Sequence, residues 1–353
     1  MKTNRLRLRI AALALLFCVA LFPLLSLSSC QTVRRYVKTI DGPFDTVTQL
    51  VIYTTSSSAA GAFFSYFSDE LAAWDKLADI YYEYDGIPNL RTLNLSAGSG
   101  PVALDPRLLD LLEYGLAAKE KTGGVVDLLL GPVLAVWHAY RSAGIADPEN
   151  AALPTDAELA RAYETARSGE LLIDRTAGTA ELTSPGMSVD VGSFAKGYAT
   201  EVISKSMEDR GYSDFAANVG GNLRISGSAS CADWSLSVRD PAGNGTVGEM
   251  LRHGVASLAT SGSYQRFYTV DGVDYHHILD PETLWPARCG WTSVSILTPD
   301  AGVADVLSTA LFCLDRETGV LLISTFESPI DVLWIAEDGS VFTTDGLKGE
   351  VKR

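Results

Sequence analysis

Cysteine is scarce in this 353-residue sequence, with five in all. None stands at CxxC spacing, which excludes a structural zinc site built on paired thiolates. Basic side chains are also in short supply: 28 Lys and Arg stand against 43 Asp and Glu, a formal net charge of −15. Nucleic acids and anionic membranes are gripped through basic patches, so no nucleic acid is expected as a partner, and no membrane held by charge alone. No Ser-His-Asp or Cys-His arrangement for nucleophilic catalysis stands out. There is no internal repeat, no low-complexity tract and no linker longer than a loop. The one extended apolar run, residues 10–25, falls short of the roughly 20 residues that a membrane span requires.

What is present begins at the N-terminus. Lys2, Arg5, Arg7 and Arg9 precede the apolar run, which only Pro23 interrupts, and Leu27-Ser28-Ser29-Cys30 follows it. A positive head, a short apolar core and small residues before a cysteine are similar to a bacterial lipoprotein signal peptide ending in its lipobox. The expectation is a signal peptide over 1–29, lipidation of Cys30, and a tether over 30–43. The chain would then sit on the extracytoplasmic face of the cell membrane, held by acyl chains. An ordinary signal peptide or a single membrane anchor with an incidental cysteine is the alternative. With Cys18 in the leader and Cys30 modified, Cys231, Cys289 and Cys313 remain. Three cysteines cannot all pair within one chain, which leaves one disulfide or buried free thiols.

The rest of the chain has room for one large domain or two closely packed ones. Alternation predicts a strand at 46–53. Helical spacing predicts helices over 59–77, 107–121 and 154–167, the last with Pro and acidic residues in its first turn. Beyond residue 170 the strands become short and close, at 171–174, 188–191, 215–219, 223–226, 234–238 and 293–297. Helices intervene at 193–208 and 302–314. The fold class expected is α+β, with mixed sheets flanked by helices.

Four segments carry chemistry. In the run 189–199, Asp190 closes a strand, Gly192 turns the chain, Ser193 follows, and a helix opens with Lys196 in its first turns. Free amides at a helix start attract anions, and Lys196 adds a point charge for a phosphate; a plain strand-turn-helix with a solvated lysine is the competing reading. Asn218-Val219-Gly220-Gly221-Asn222 allows close backbone approach to a ligand, or simply a hairpin turn. The stretch Ala259-Thr260-Ser261-Gly262-Ser263-Tyr264 leads to His276-His277-Ile278-Leu279-Asp280-Pro281. Adjacent histidines on a strand face opposite ways, so one is available for acid–base work or metal binding and the other is structural. Finally, Asp305 and Thr309 are four apart on a predicted helix and share a face. A carboxylate and a hydroxyl suit Mg²⁺, which completes its shell with water and phosphate oxygens; a capping Asp and a buried Thr would look the same.

In their order and spacing these segments resemble the ApbE family of FAD:protein FMN transferases. Gly123-Gly124-Val125-Val126-Asp127 with Gly131-Pro132 and Trp137 is similar to the family's G-A-F-D-x-x-x-G-P and tryptophan. Phe44-Asp45-Thr46 occupies the place of its Met-Gly-Thr opening, and Tyr84, ten residues before Asn94, that of a tyrosine bordering the isoalloxazine. The likeness runs from about residue 40 to about 340, and places an ApbE-like (T-fold-like) FAD-binding catalytic domain over 44–353. It implies FAD as substrate, with Mg²⁺ at its pyrophosphate. FMN would pass to a Thr or Ser hydroxyl of an exported or membrane-anchored flavoprotein, with release of AMP. It also implies that the Ser193 carbonyl, Asp305 and Thr309 hold the metal. Phe44, Tyr84, Val125, Val126, Asp127, Asp190, Lys196 and backbone around Leu279 would then contact the cofactor, with His277 as general base.

The sequence departs from the family pattern in three places. Leu284 replaces the glycine that closes the H-I-I-D-P-x-T-G motif, which is expected to reshape the loop beside His277, since that glycine holds a conformation other residues resist. Val125-Val126 replaces Ala-Phe, and Asn222 stands where many members carry Glu. An FAD pyrophosphatase yielding FMN and AMP, or a non-catalytic flavin-binding lipoprotein, fits the same residues.

Overall fold

The computed structural model describes residues 32–351. Cys30 and the leader before it lie outside the described residues. The chain enters through strands β1 (Arg34–Asp41) and β2 (Val47–Thr54), paired antiparallel from Arg34↔Thr54 to Asp41↔Val47. This corrects the expectation of a tether over 30–43. Within β1, Tyr36, Lys38 and Ile40 turn inward between exposed Arg35, Val37 and Thr39, and Tyr36 and Ile40 pack on the core. An alternating segment beside a ready partner forms a ladder, which a polar linker would not.

Helix α1 (Ser57–Ala78) starts at a capping Ser56, whose side chain accepts from Ala59 N–H, and it buries Phe63, Phe67, Leu71 and Trp74 on one stripe. The short α2 (Leu90–Leu95) and strand β3 (Val102–Ala103) lead to α3 (Pro106–Lys121), α4 (Gly131–Ala146) and α5 (Asp156–Ala166). A reciprocal Thr155–Glu158 capping box opens α5. Strands β4 (Leu171–Asp174) and β5 (Thr179–Leu182) precede α6 (Ala195–Asp209). There follow β6 (Phe215–Val219), β7 (Asn222–Ser226), β8 (Trp234–Arg239), β9 (Thr246–Arg252), β10 (Ala256–Gly262), β11 (Phe267–Val270) and β12 (Val273–His276). The chain closes with β13 (Trp291–Thr298), α7 (Ala301–Phe312), α8 (Arg316–Ile323), β14 (Asp331–Ala336) and β15 (Val341–Thr343).

Eight strands form one sheet in the order β1-β2-β6-β7-β10-β13-β14-β15, with every neighbouring pair antiparallel. Alternate residues of its central strands serve two cores, so both faces are buried. Leu50, Ile52, Val294, Ile296, Val332 and Trp334 meet the helices on one side. Val51, Leu297, Leu333 and Ile335 meet the β8–β9 hairpin, through Trp234, Leu236 and Met250, on the other. A third apolar cluster joins α4 and α5 to the β11–β12 hairpin through Val133, Trp137, Leu159, Tyr268 and Leu279. The α+β class holds.

The strand expected at 188–191 is absent. The backbone there is extended, but Asn94 stands in for a neighbouring strand: its Nδ2 donates to Val189 O at 3.0 Å and its Oδ1 accepts from Val189 N–H at 2.8 Å. Asp190 N–H then donates to Leu128 O at 2.8 Å.

Candidate active site

Helices α6 and α7 touch at Gly197. A Cβ at that position would fall on the Ala301 carbonyl and on Asp305 Cβ, so the close approach depends on glycine. It brings Gly197 N–H to Asp305 Oδ2 at 2.8 Å. The Asp305 carboxylate is buried, at 7 % exposure, and burial pushes its pKa up. Lys196 acts on it from a distance without closing an ion pair, and the Asn222 side chain donates to it. One turn along α7, Thr309 Oγ1 lies 3.3 Å from Ser261 Oγ at the end of β10, which also bonds Ser308 Oγ at 2.8 Å.

A buried, unpaired carboxylate is costly and calls for a cation. Asn222 adds a second sign, since its Oδ1 is buried without a hydrogen-bond partner. Among the described residues no cluster of three or more His, Cys, Asp and Glu side chains could hold a metal. The donors around Asp305 are instead hard oxygens, few in number, and fit Mg²⁺ rather than zinc.

Asp190, Ser193 and Lys196 lie on the turn into α6. Asp190 Oδ1 accepts from Gly192 N–H at 2.8 Å, and Lys196 Nζ reaches Gly192 O at 3.4 Å. The helix has no side-chain cap, because Phe194 occupies the capping position and buries its ring in the core. Desolvation raises the Asp190 pKa, while His138, Lys196 and Arg141 oppose the rise. The paired glycines make a plain hairpin turn between β6 and β7: Gly220 and Gly221 have φ of +57° and +97°, the pattern of a two-residue hairpin loop. That turn sets the position of Asn222.

The two histidines divide as expected. His276 is buried, and its Nε2 donates to Ala287 O at 3.0 Å while Nδ1 accepts from Ile278 N–H. His277 Nδ1 meets Arg266 O at 3.2 Å. A carbonyl only accepts, so the His277 proton resides on Nδ1 and Nε2 keeps its lone pair. Desolvation lowers the His277 pKa, with the charges of Arg266, Arg141 and Lys196 acting in the same direction. The imidazole is therefore neutral at pH 7, as a general base must be.

The loop after His277 places Leu284 in the left-handed region that favours glycine. Leu284 has φ of +63°, its N–H donates to Asp280 O at 2.8 Å, and Asp280 N–H donates to Trp285 O at 2.9 Å. Trp137 Nε1 donates to Leu284 O at 2.8 Å, and the Trp137 and Trp285 rings meet edge to face at 5.1 Å. These bonds and rings hold the leucine in a left-handed backbone state that glycine would adopt without strain.

The remaining residues named from the sequence are less uniformly placed. Phe44, also left-handed at φ +57°, donates its N–H to Asp75 Oδ1 at 2.7 Å. Tyr84 gives its hydroxyl to Asp79 Oδ2 at 2.7 Å, which drives its pKa up to about 12. Val125 lines a cavity of about 300 Å³ with Gly124, Tyr163, Arg167 and Leu284, whereas Val126 packs into the main core. Asp127 is fully enclosed and pairs with Lys119 at 3.0 Å and Arg167 at 2.6 Å while capping Leu129 N–H; its carboxylate is spent inside the protein. Leu279 is buried in the third apolar cluster, and its carbonyl accepts from Cys313 Sγ at 3.5 Å. Cys231, Cys289 and Cys313 are all free thiols.

Four residues absent from the sequence reading join this cleft. Tyr81, His138, Arg141 and Arg266 interact electrostatically with Asp190, His277 or each other. The signal available was the spacing of His138 and Arg141 on α4, three apart and beside Trp137.

Residues 44–334 match the model of the ApbE family. The chain is 33% identical over 279 residues to the FAD:protein FMN transferase of Treponema pallidum, covering 74% of this chain and 75% of that one. It is 26% identical over 324 residues to the FAD:protein FMN transferase of Vibrio cholerae, covering 91% and 94%. The crystal structure of the ApbE protein from Thermotoga maritima superposes with a TM-score of 0.76 at 26% identity, over 91% of this chain and 100% of that one.

Proposed function

The chain belongs to the ApbE family, and on that footing we propose that it is a flavin-transferring enzyme that moves FMN from FAD to a Thr or Ser hydroxyl of a flavoprotein acceptor, releasing AMP. What carries the reading is the meeting of two features in one cleft: a buried, unpaired Asp305 beside Lys196, and a neutral His277 whose Nε2 is free.

The incoming hydroxyl has a high pKa and needs a base at neutral pH. His277 Nε2 takes its proton, and the Nδ1–H bond to Arg266 O fixes the ring for that task. The acceptor oxygen forms its bond to the FMN phosphorus as the bond from that phosphorus to the AMP oxygen breaks. Lys196 and the open start of α6 offset charge on the phosphate oxygens. Asp305, Thr309 and the Ser193 carbonyl are the groups that would hold Mg²⁺, which when bound neutralises charge on the pyrophosphate. The acceptor supplies the nucleophile, so no Ser or Cys nucleophile of this chain is needed.

The test is incubation with FAD, Mg²⁺ and a peptide carrying the acceptor Thr. Covalent flavin on the peptide together with AMP is expected; an unmodified peptide, with a transferase of known activity succeeding in parallel, refutes the reading. We propose further that Cys30 is lipidated and holds the enzyme on the extracytoplasmic face, on the strength of residues 1–30. Release of a Cys30→Ser variant from the membrane fraction is the expected result, and unchanged membrane association refutes it.

A further inference from the structure

Three cations converge beside His277, where Asp190 acts on Arg141 and Lys196, and Asp305 on Lys196, only from a distance. Arg266, Arg141 and Lys196 all act on the His277 ring, yet among the described residues no acidic side chain closes an ion pair with any of them. This runs against the composition, since acidic residues outnumber basic ones 43 to 28. Arg107, Arg167, Arg175, Arg224 and Arg252 all find carboxylates.

Arg141 is the most firmly built of the three. It lies on α4, half-buried, and its Nη2 donates to His138 Nδ1 at 3.0 Å. A guanidinium has no acceptor, so His138 Nδ1 receives that bond as a lone pair and the His138 proton lies on Nε2. The His138 ring in turn packs against Tyr81, with centroids 5.0 Å apart. The guanidinium is therefore aimed by a neutral imidazole, which orients it without cancelling its charge. Desolvation and the like charge of Arg266 work against it, while Tyr81 and, from a distance, Asp190 favour its charged form. A cleft that keeps such a group charged, oriented and unpaired is arranged for an anion.

Resting on the flavin-transfer reading above, we infer that Arg141, held by His138 and Tyr81, binds a phosphate of the dinucleotide substrate, in addition to the charge that Lys196 supplies. The two phosphates of FAD carry two negative charges, and more develops on the departing oxygen during transfer. A planar fork of donors is suited to a phosphate's paired oxygens in a way an ammonium is not.

The experiment measures binding of FAD, AMP, FMN and riboflavin to the whole chain in Mg²⁺ buffer, by calorimetry or flavin fluorescence, with thermal melts to verify folding. Arg141→Gln is expected to weaken FAD by about tenfold or more, the loss of one charge-assisted hydrogen bond. It should weaken one of AMP or FMN in parallel, which identifies the phosphate, and leave riboflavin unchanged because that ligand has no phosphate. Arg141→Lys should recover part of the loss. Arg175→Gln, on a surface ion pair with Asp110 and Glu113, should bind all four ligands as the native chain does. Unchanged FAD affinity in Arg141→Gln, or equal losses for FAD and riboflavin, overturns the inference alone. Failure of the native chain to bind FAD overturns the flavin-transfer reading and this inference with it.

Discussion

Leu284 offers the sharpest test of how this chain holds the loop that follows His277. Its φ of +63° places a branched side chain where glycine is normally found, at a cost of roughly 1–2 kcal/mol. The loop stays in place because Leu284 N–H, Leu284 O and Asp280 N–H are all bonded, and because the side chain packs against the third apolar cluster. Leu284→Ala removes half-buried packing worth on the order of 1 kcal/mol and keeps the strain. Leu284→Gly removes the same packing and relieves the strain, offset by the roughly 0.5–1 kcal/mol of chain entropy that glycine adds to the unfolded state. The glycine variant should therefore be more stable than the alanine variant by about 0.5–1 kcal/mol, and within about 1 kcal/mol of the native protein. Urea unfolding of the three proteins side by side measures this ordering. Elsewhere in a folded protein Ala normally exceeds Gly, so an alanine variant as stable as the glycine variant, or more so, would refute the claim that residue 284 is held left-handed.

Gly197→Ala should cost about 1–3 kcal/mol by overpacking the α6–α7 contact, and it should weaken FAD binding, because the Asp305 Oδ2 bond to the backbone moves with it; calorimetric titration with FAD reads this. His277→Ala should leave FAD affinity within about twofold and abolish FMN transfer. It should also flatten the acid dependence of stability: native His277 is held below its ordinary pKa, so the folded state binds fewer protons than the unfolded one and loses stability as pH falls below about 6.5. Urea midpoints between pH 7 and pH 5 check this. Asp305→Asn should leave the metal-free protein as stable as the native one or more so at pH 7. A carboxyl with a raised folded pKa costs stability as the pH climbs above its unfolded value of 3.8, and the amide removes the charge. The same variant should lose the thermal shift that Mg²⁺ with FAD gives the native chain, and a retained shift would count against Asp305 as the cation's ligand.

Much of this architecture was legible because its signals are local. The stripe of Phe63, Phe67, Leu71 and Trp74 announces α1, and the acidic cap of Thr155 and Glu158 announces α5. Segment 188–191 misled because extended backbone is satisfied by the Asn94 side chain from 95 residues away, a contact no local pattern encodes. Strand β1 was read as a tether for a related reason: its partly polar pattern gains meaning only against β2. Within the site, Asp305, Thr309, Lys196 and His277 were readable from motif order. Arg141 and His138 were not, since their significance lies in a guanidinium that closes no ion pair, which no local pattern encodes. Asp127 was placed at the cofactor, but Lys119, eight residues before it, and Arg167, forty after it, pair with it and enclose it.

The position of β1 has a mechanical consequence for the lipid-anchored reading. The ladder begins at Arg34, so residues 31–33 alone would separate Cys30 from the rigid body. They reach roughly 10 Å when fully extended, against roughly 45 Å for the whole of residues 30–43. The enzyme would behave less like a buoy on a line than like a bracket on a wall. Exposed Arg34 and Arg35 would face the headgroups, and the height and heading of the cleft would be nearly constant. The searching would then fall to the other molecule: an acceptor would have to carry its hydroxyl on a segment able to swing to a fixed reach above the bilayer.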